Sequence, residues 1–206
     1  NDDGNTPPAP MVIQDGSGGV PFTDCDGVGD CSDTLLTQWQ DGDNDPNNAM
    51  YMKFDVEVPQ GTFGYNFSVV YHSSEWPTYV GTSFNDLFIG WQTAEVYTGN
   101  TTFIPDPMNP DQGLPMTITA LDPYLSTDGY SNNEPELAGT GFEGHAGSDW
   151  IQVKAGVSPL ETVTVVFYIA DMSDTILATQ VIIDNFHWDC EGCVPSEVDD
   201  CGVVID

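Results

Sequence analysis

The sequence predicts an all-β protein: an antiparallel two-sheet sandwich, jelly-roll-like, with long acidic loops. Three observations predict it. Apolar side chains recur with a period of two, the spacing that puts one face of a strand in a core and the other in water. Clusters of Gly, Pro, Asn and Asp separate these runs. No stretch carries a capped apolar period of 3.6.

Taken in order, the polar, proline-bearing segment Asn1 to Pro10 (NDDGNTPPAP) reads as a linker. The sandwich is expected from 11 to 188, with 189–206 a cysteine-containing tail packed on it. In the clearest strand Met50, Met52, Phe54, Val56 and Val58 alternate with Tyr51, Lys53, Asp55 and Glu57. After the turn at Pro59 to Gly61, Phe63, Tyr65, Phe67, Val69 and Tyr71 repeat the pattern. Leu87 to Trp91, Met116 to Leu121, Thr162 to Ile169 and Thr179 to Trp188 are the next strands, rich in β-branched and aromatic residues. Two apolar end segments, Met11-Val12-Ile13 and Val203-Val204-Ile205, admit two readings. They either add to the open edge of another copy and propagate a filament, or serve as first and last strands of their own sandwich.

Charge is the most extreme feature. Asp and Glu number 33 against 2 Lys+Arg, a formal net charge of -31. An aromatic content of 11% within 39% hydrophobic residues is too rich for a disordered acidic tail, so the acid belongs to the surface of a folded domain. Lys53 and Lys154 can neutralise few of these carboxylates, which leaves salt or bound divalent cations to relieve the repulsion. A saline habitat alone would also account for the acidity. Nucleic acid and anionic membrane surfaces are poor partners for such a charge, and no apolar run is long enough to span a membrane.

Five cysteines in so lysine-poor a chain point to an oxidising, extracellular compartment. Asn1 in place of a Met fits a processed or trimmed chain. Cys25 and Cys31 close a short loop, and Cys201 is expected to pair with Cys190 or Cys193, leaving one thiol over. Zinc fits this cluster poorly, since a closed site needs four soft ligands.

The chemistry-bearing motifs of enzymes are missing: there is no GxSxG, HExxH or phosphate-cradling loop, and no Arg. His72, His145 and His187 read as packed or exposed polar residues. The expectation is a protein that is not an enzyme.

Calcium is the better-supported chemistry, because hard cations take six to eight oxygens and acid-rich loops supply them. Asp41, Asp43 and Asp45 alternate with small or amide residues, as do the acids between Asp24 and Asp33. An EF-hand would need a glutamate where Met52 stands, so the first loop is not one. Two further candidates lie at strand ends: Glu75 with Asn85 and Asp86, and Asp171 with Asp174 and Asp184.

The segments HSSEWPTYVGTSFNDLFIGWQ (His72 to Gln92), ELAGTGFEGHAGSDW (Glu136 to Trp150) and IADMSDTILATQVIIDNFHWDC (Ile169 to Cys190) resemble choice-of-anchor L domains of bacterial surface proteins. The resemblance runs in order from about Leu35 to the C-terminus. It implies an exported β-rich domain fastened to the cell surface, and its recurrent polar positions would fall on Ser74, Glu75, Asn85, Asp86, Gly141, His145, Asp171, Asp174, Asp184 and Asn185. With no sorting signal after Asp206, anchorage is expected to be N-terminal or through other subunits.

Three functions are compatible with these residues. One is a structural or adhesive surface module that associates with copies of itself. Another is a carbohydrate-binding module for surface glycans, with Trp39, Trp76, Trp150, Tyr79, Tyr97, Tyr124 and Tyr130 as stacking candidates and Trp91 and Trp188 as core. The third, a hydrolase on the same fold, has no recognisable site.

Overall fold

A computed structural model describes residues 13–15, 46–105, 108, 113–126, 145–173, 176–193 and 202–204. Twelve strands among them form two antiparallel sheets. The first holds β1 (Ile13–Asp15), β2 (Pro46–Glu57), β10 (Thr162–Met172), β4 (Leu87–Thr93), β7 (Gly113–Thr117) and β6 (Phe103–Pro105) in that order, with β5 (Thr98–Asn100) beside β4. The second runs β11 (Thr179–Asp189), β3 (Gly64–Ser73), β9 (Ile151–Gly156), β12 (Gly202–Val204), with β8 (Ala146–Gly147) beside β3. From β2 to β4, and again from β9 to β11, the chain switches sheets at every connection. That crossing is the jelly-roll habit the sequence predicts.

The period of two sets what each strand buries. Tyr65, Phe67, Val69 and Tyr71 of β3 face Val163, Val165 and Phe167 of β10 and Phe88 of β4 across the core. Phe167 is its hub, with ring centroids 5.2 Å from Phe67 and 6.0 Å from Phe54. The alternate residues of the first sheet form a second buried cluster of Leu87, Ile89, Trp91, Val166, Tyr168, Ala170 and Met172. Both faces of β4 and β10 are therefore apolar, and these strands read as continuous rather than alternating hydrophobic runs. Trp91 is core as expected, and Trp188 packs half-buried against the main cluster.

Several expectations are corrected. The run Met116 to Leu121 is not one strand: β7 stops at Thr117, whose hydroxyl accepts the Ala120 N–H at 3.1 Å and caps a helical turn, α1 (Ile118–Leu121). Met52 obeys the alternation of β2 yet is half exposed, because it lies beyond the residues that contact the core. The C-terminal segment is no mere tail: Val203 pairs with Val153 as part of the second sheet. Ile13 likewise pairs with Tyr51. The described residues of both end segments, Ile13 and Val203 with Val204, thus pair within their own sandwich, in line with the second of the two readings offered for them. Met11, Val12 and the linker at 1–10 lie outside the described residues.

No complete disulfide pair falls within the described residues. Cys190 is an exposed free thiol, whereas Cys193 is disulfide-bonded. Cys25, Cys31 and Cys201 lie outside the described residues.

One buried acid is wholly committed to the fold. Glu161 accepts the Ser158 N–H at 2.5 Å and the Glu95 N–H at 2.6 Å, while its carbonyl accepts from Val58. It ties the β9–β10 turn to the β4–β5 hairpin. Charge-assisted bonds of this kind are worth about 1.5–3 kcal/mol each, so Glu161→Ala is expected to cost about 2–3 kcal/mol. Urea unfolding should show a lowered midpoint at unchanged slope.

Candidate metal centre

At one end of the sandwich the core-facing rows of three strands run on into acids. Glu75 lies two residues beyond β3, on the parity of Tyr71 and Ser73. Asp86 immediately precedes β4, on the parity of Phe88, and Asp171 is the penultimate residue of β10, on that of Phe167 and Ile169. Leu87 pairs with Ala170, which brings Asp86 and Asp171 side by side, and β3 closes over them from the second sheet. The three carboxylates approach within 4.8 Å of one another. Glu75 is 1% exposed, Asp86 is fully buried and Asp171 half-buried.

The surroundings fix these side chains. Asp86 accepts the Met172 N–H at 3.0 Å through Oδ1 and the Thr179 hydroxyl through Oδ2, which holds its carboxylate between the two sheets. Ser73 Oγ accepts the Glu75 N–H at 3.1 Å, and the Glu75 carbonyl accepts from Tyr79 N–H at 3.1 Å. The Tyr71 hydroxyl donates to the Asp86 carbonyl at 2.8 Å. Burial, then the charge of Asp86, push the Tyr71 hydroxyl well above its usual range, so it stays a neutral donor. Further bonds pin the loop above the site: Trp76 Nε1–H to Asp122 at 2.8 Å, Gly81 N–H to Thr119 Oγ1 at 3.0 Å, and Ser173 O–H to the Ser83 carbonyl at 2.7 Å.

Each pair of like charges at 4.8 Å costs about 3–4 kcal/mol at an effective dielectric of about 20. Burial adds to that cost. Two oxygens that share one calcium ion at about 2.4 Å lie at most about 4.8 Å apart, so the spacing suits a common ion. All-oxygen donors are the set that calcium or magnesium takes, and among the described residues no thiol or imidazole joins the cluster.

The structure thus unites two members of the first predicted strand-end set, Glu75 and Asp86, with one member of the second, Asp171, and sorts the remainder. Asn85 is buried, but its Oδ1 accepts the Thr119 N–H at 2.9 Å and serves the loop. Asp184 does not join. It sits exposed in mid-β11 opposite Ser68, five residues or roughly 17 Å of strand from Thr179, and accepts the Asn185 N–H at 2.7 Å. The ladder slips between Asp184 and His187, and Asn185 adopts φ 59°, so this acid marks an edge bulge. Asp174, Asp41, Asp43 and Asp45 lie outside the described residues, as does the stretch from Asp24 to Asp33. Tyr71 and Thr179, which hydrogen-bond to Asp86, read in the sequence as ordinary strand residues and carry no signal of that role.

Of the histidines, His72 is buried on the outward face of β3, His145 half-buried and His187 exposed. No helix of the described residues is long and apolar enough to cross a membrane. Comparisons with protein-family models, with curated proteins and with solved structures find no match to this chain.

Proposed function

We propose that this protein is a non-enzymatic extracellular module, structural or adhesive, whose sandwich is fastened at one end by a bound calcium ion. The observation that carries the reading is the convergence of Glu75, Asp86 and Asp171, from three separate strands and both sheets, within 4.8 Å in a mostly buried site. A cation there offsets mutual repulsion that neither lysine relieves. Lys53 lies exposed on β2, and Lys154 lines a hollow with Asp189 and Glu191.

A catalytic role for the same acids is disfavoured by enclosure. Substrates need an open cleft, and Glu75 and Asp86 are covered by the pinned loop 74–86. The exported, surface-attached setting is the one implied by the resemblance to choice-of-anchor L domains, and the net charge of -31 suits a calcium-rich or saline exterior. Self-association loses much of its motive, because Ile13 at one end and Val203 with Val204 at the other pair within their own sheets.

Calorimetric titration of calcium into chelator-stripped protein tests the reading directly. Saturable binding is expected, abolished or weakened at least about tenfold in Asp171→Asn, the least buried of the three. No heat in the native protein, or equal binding by the variant, would sink it.

A further inference from the structure

Four strands lie at the outer edges of the two sheets, and they are not alike. β1, β6 and β12 are three residues long, and short edge strands are one way a fold denies pairing to other chains. β1 covers only Ala49 to Tyr51 of β2, but beyond it that strand carries an exposed charge at every second position, Lys53, Asp55 and Glu57. β11 differs from all of these. It has 11 residues and, among the described residues, pairs on one side alone, with β3.

Only half of β11 is blunted. The slip between Asp184 and His187, with Asn185 at φ 59°, spoils the second half of the strand for a new partner. From Thr179 to Asp184 the register with β3 is unbroken, and this stretch holds no proline, no lysine and no bulge. Val181 and Ile183 pack against the main core yet stay half-buried, as the sheet ends with their strand. Gln180, Ile182 and Asp184 form the opposite row, with Asp184 exposed. Ile176, 68% exposed, precedes the strand, and Phe186, 38% exposed, follows its regular half, so apolar surface brackets the open edge.

We propose that the edge from Thr179 to Asp184 takes an extended, basic segment of another polypeptide as an added strand. An edge strand offers the backbone N–H and C=O groups that a new ladder needs. The apolar side chains of the added segment continue the row of Val181 and Ile183 and complete their burial. Its alternate, basic side chains fall on the row that ends in Asp184. Charge selects the partner. A second copy brings a net charge of -31 against the same charge, and an acidic peptide is repelled likewise. A cationic segment is attracted, and it supplies the positive charge that Lys53 and Lys154, both on other strands, do not bring to β11. The edge gives the adhesive reading a class of partner, and it requires no ion at the buried acids.

Fluorescence anisotropy of a labelled peptide of alternating valine and lysine tests the proposal on the full chain at physiological ionic strength. Saturable binding is expected. The same peptide methylated at its backbone nitrogens keeps every charge and side chain but loses its donors, so it should bind at least about tenfold more weakly. Asp184→Lys, a change at an exposed position, reverses the local sign and should also weaken binding about tenfold. Amide hydrogen exchange should place the protection gained on residues 179–184. Five outcomes each overturn the proposal. They are no binding, equal binding of the methylated peptide (as adsorption by charge alone would give), binding unaltered in Asp184→Lys, and protection gained away from β11. The fifth is a dimer of the protein alone, protected at the same amides, which would assign the edge to a second copy.

Discussion

Thermal melts in millimolar calcium are expected to lie several degrees above melts in chelator at matched ionic strength. A ligand that binds the folded state alone stabilises it by RT ln(1 + [L]/Kd), about 2.7 kcal/mol at a hundredfold excess over Kd. For a chain of 206 residues that free energy corresponds to roughly 5–10 °C. Matching the ionic strength matters because a charge of -31 is screened by any salt, and screening alone would raise both curves together. Asp171→Asn should close the gap from below: its chelator melt rises, because one like charge is gone, and its calcium response shrinks. Glu75→Gln should behave alike. Identical melts for native protein in calcium and chelator would retire the metal centre and leave a saline habitat as the account of the acidity.

Acid should weaken the fold through His72, over a definite range. Burial lowers this imidazole from 6.5 to about 4. The unfolded chain therefore binds the proton first. Stability owed to the neutral ring is complete above pH 6.5, falls as pH drops through the interval, and is gone once pH is below 4. The depression amounts to about 3 kcal/mol, at 1.36 kcal/mol per pH unit. A background of opposite sign runs beneath it, since acid also relieves carboxylate repulsion. The difference between native protein and His72→Gln isolates the ring: urea midpoints of the native chain should fall more steeply between pH 6.5 and 4 than those of the variant. Parallel curves would show that His72 takes up its proton without unfolding anything.

The period of two in Phe54, Val56 and Val58, and in Tyr65 through Tyr71, was enough to call strands and a core-facing side, because alternation is a local property. Boundaries were less legible. Nothing at Met116 tells the reader that Thr117 will cap a turn, since that depends on the Ala120 amide meeting its hydroxyl. The two-sided burial of β4 and β10 was hidden as well, because Val165-Val166-Phe167-Tyr168 fits a strand whichever face is inside. At the acids, sequence named the right strand ends but could not choose among them. Glu75, Asp86 and Asp171 continue core rows, so they turn inward, whereas Asp184 follows the same residue preferences on an edge strand and turns out. Choosing requires knowing which strands are central, and that is a long-range fact.

The scarcity of lysine has a consequence for how the protein meets digestive enzymes. Trypsin-like proteases cut after Lys or Arg, and this chain offers them two bonds in all. Both are locked into ladders: Lys53 of β2 is paired with Val166 of β10, and Lys154 of β9 lies between Asn66 of β3 and Gly202 of β12. A protease must draw its substrate out as a free extended segment, so cleavage at either bond waits on a strand leaving its sheet. The folded chain is thereby proofed against a whole class of secreted enzyme, and the rate at which trypsin nicks it becomes a direct clock for the opening of β2 and β9.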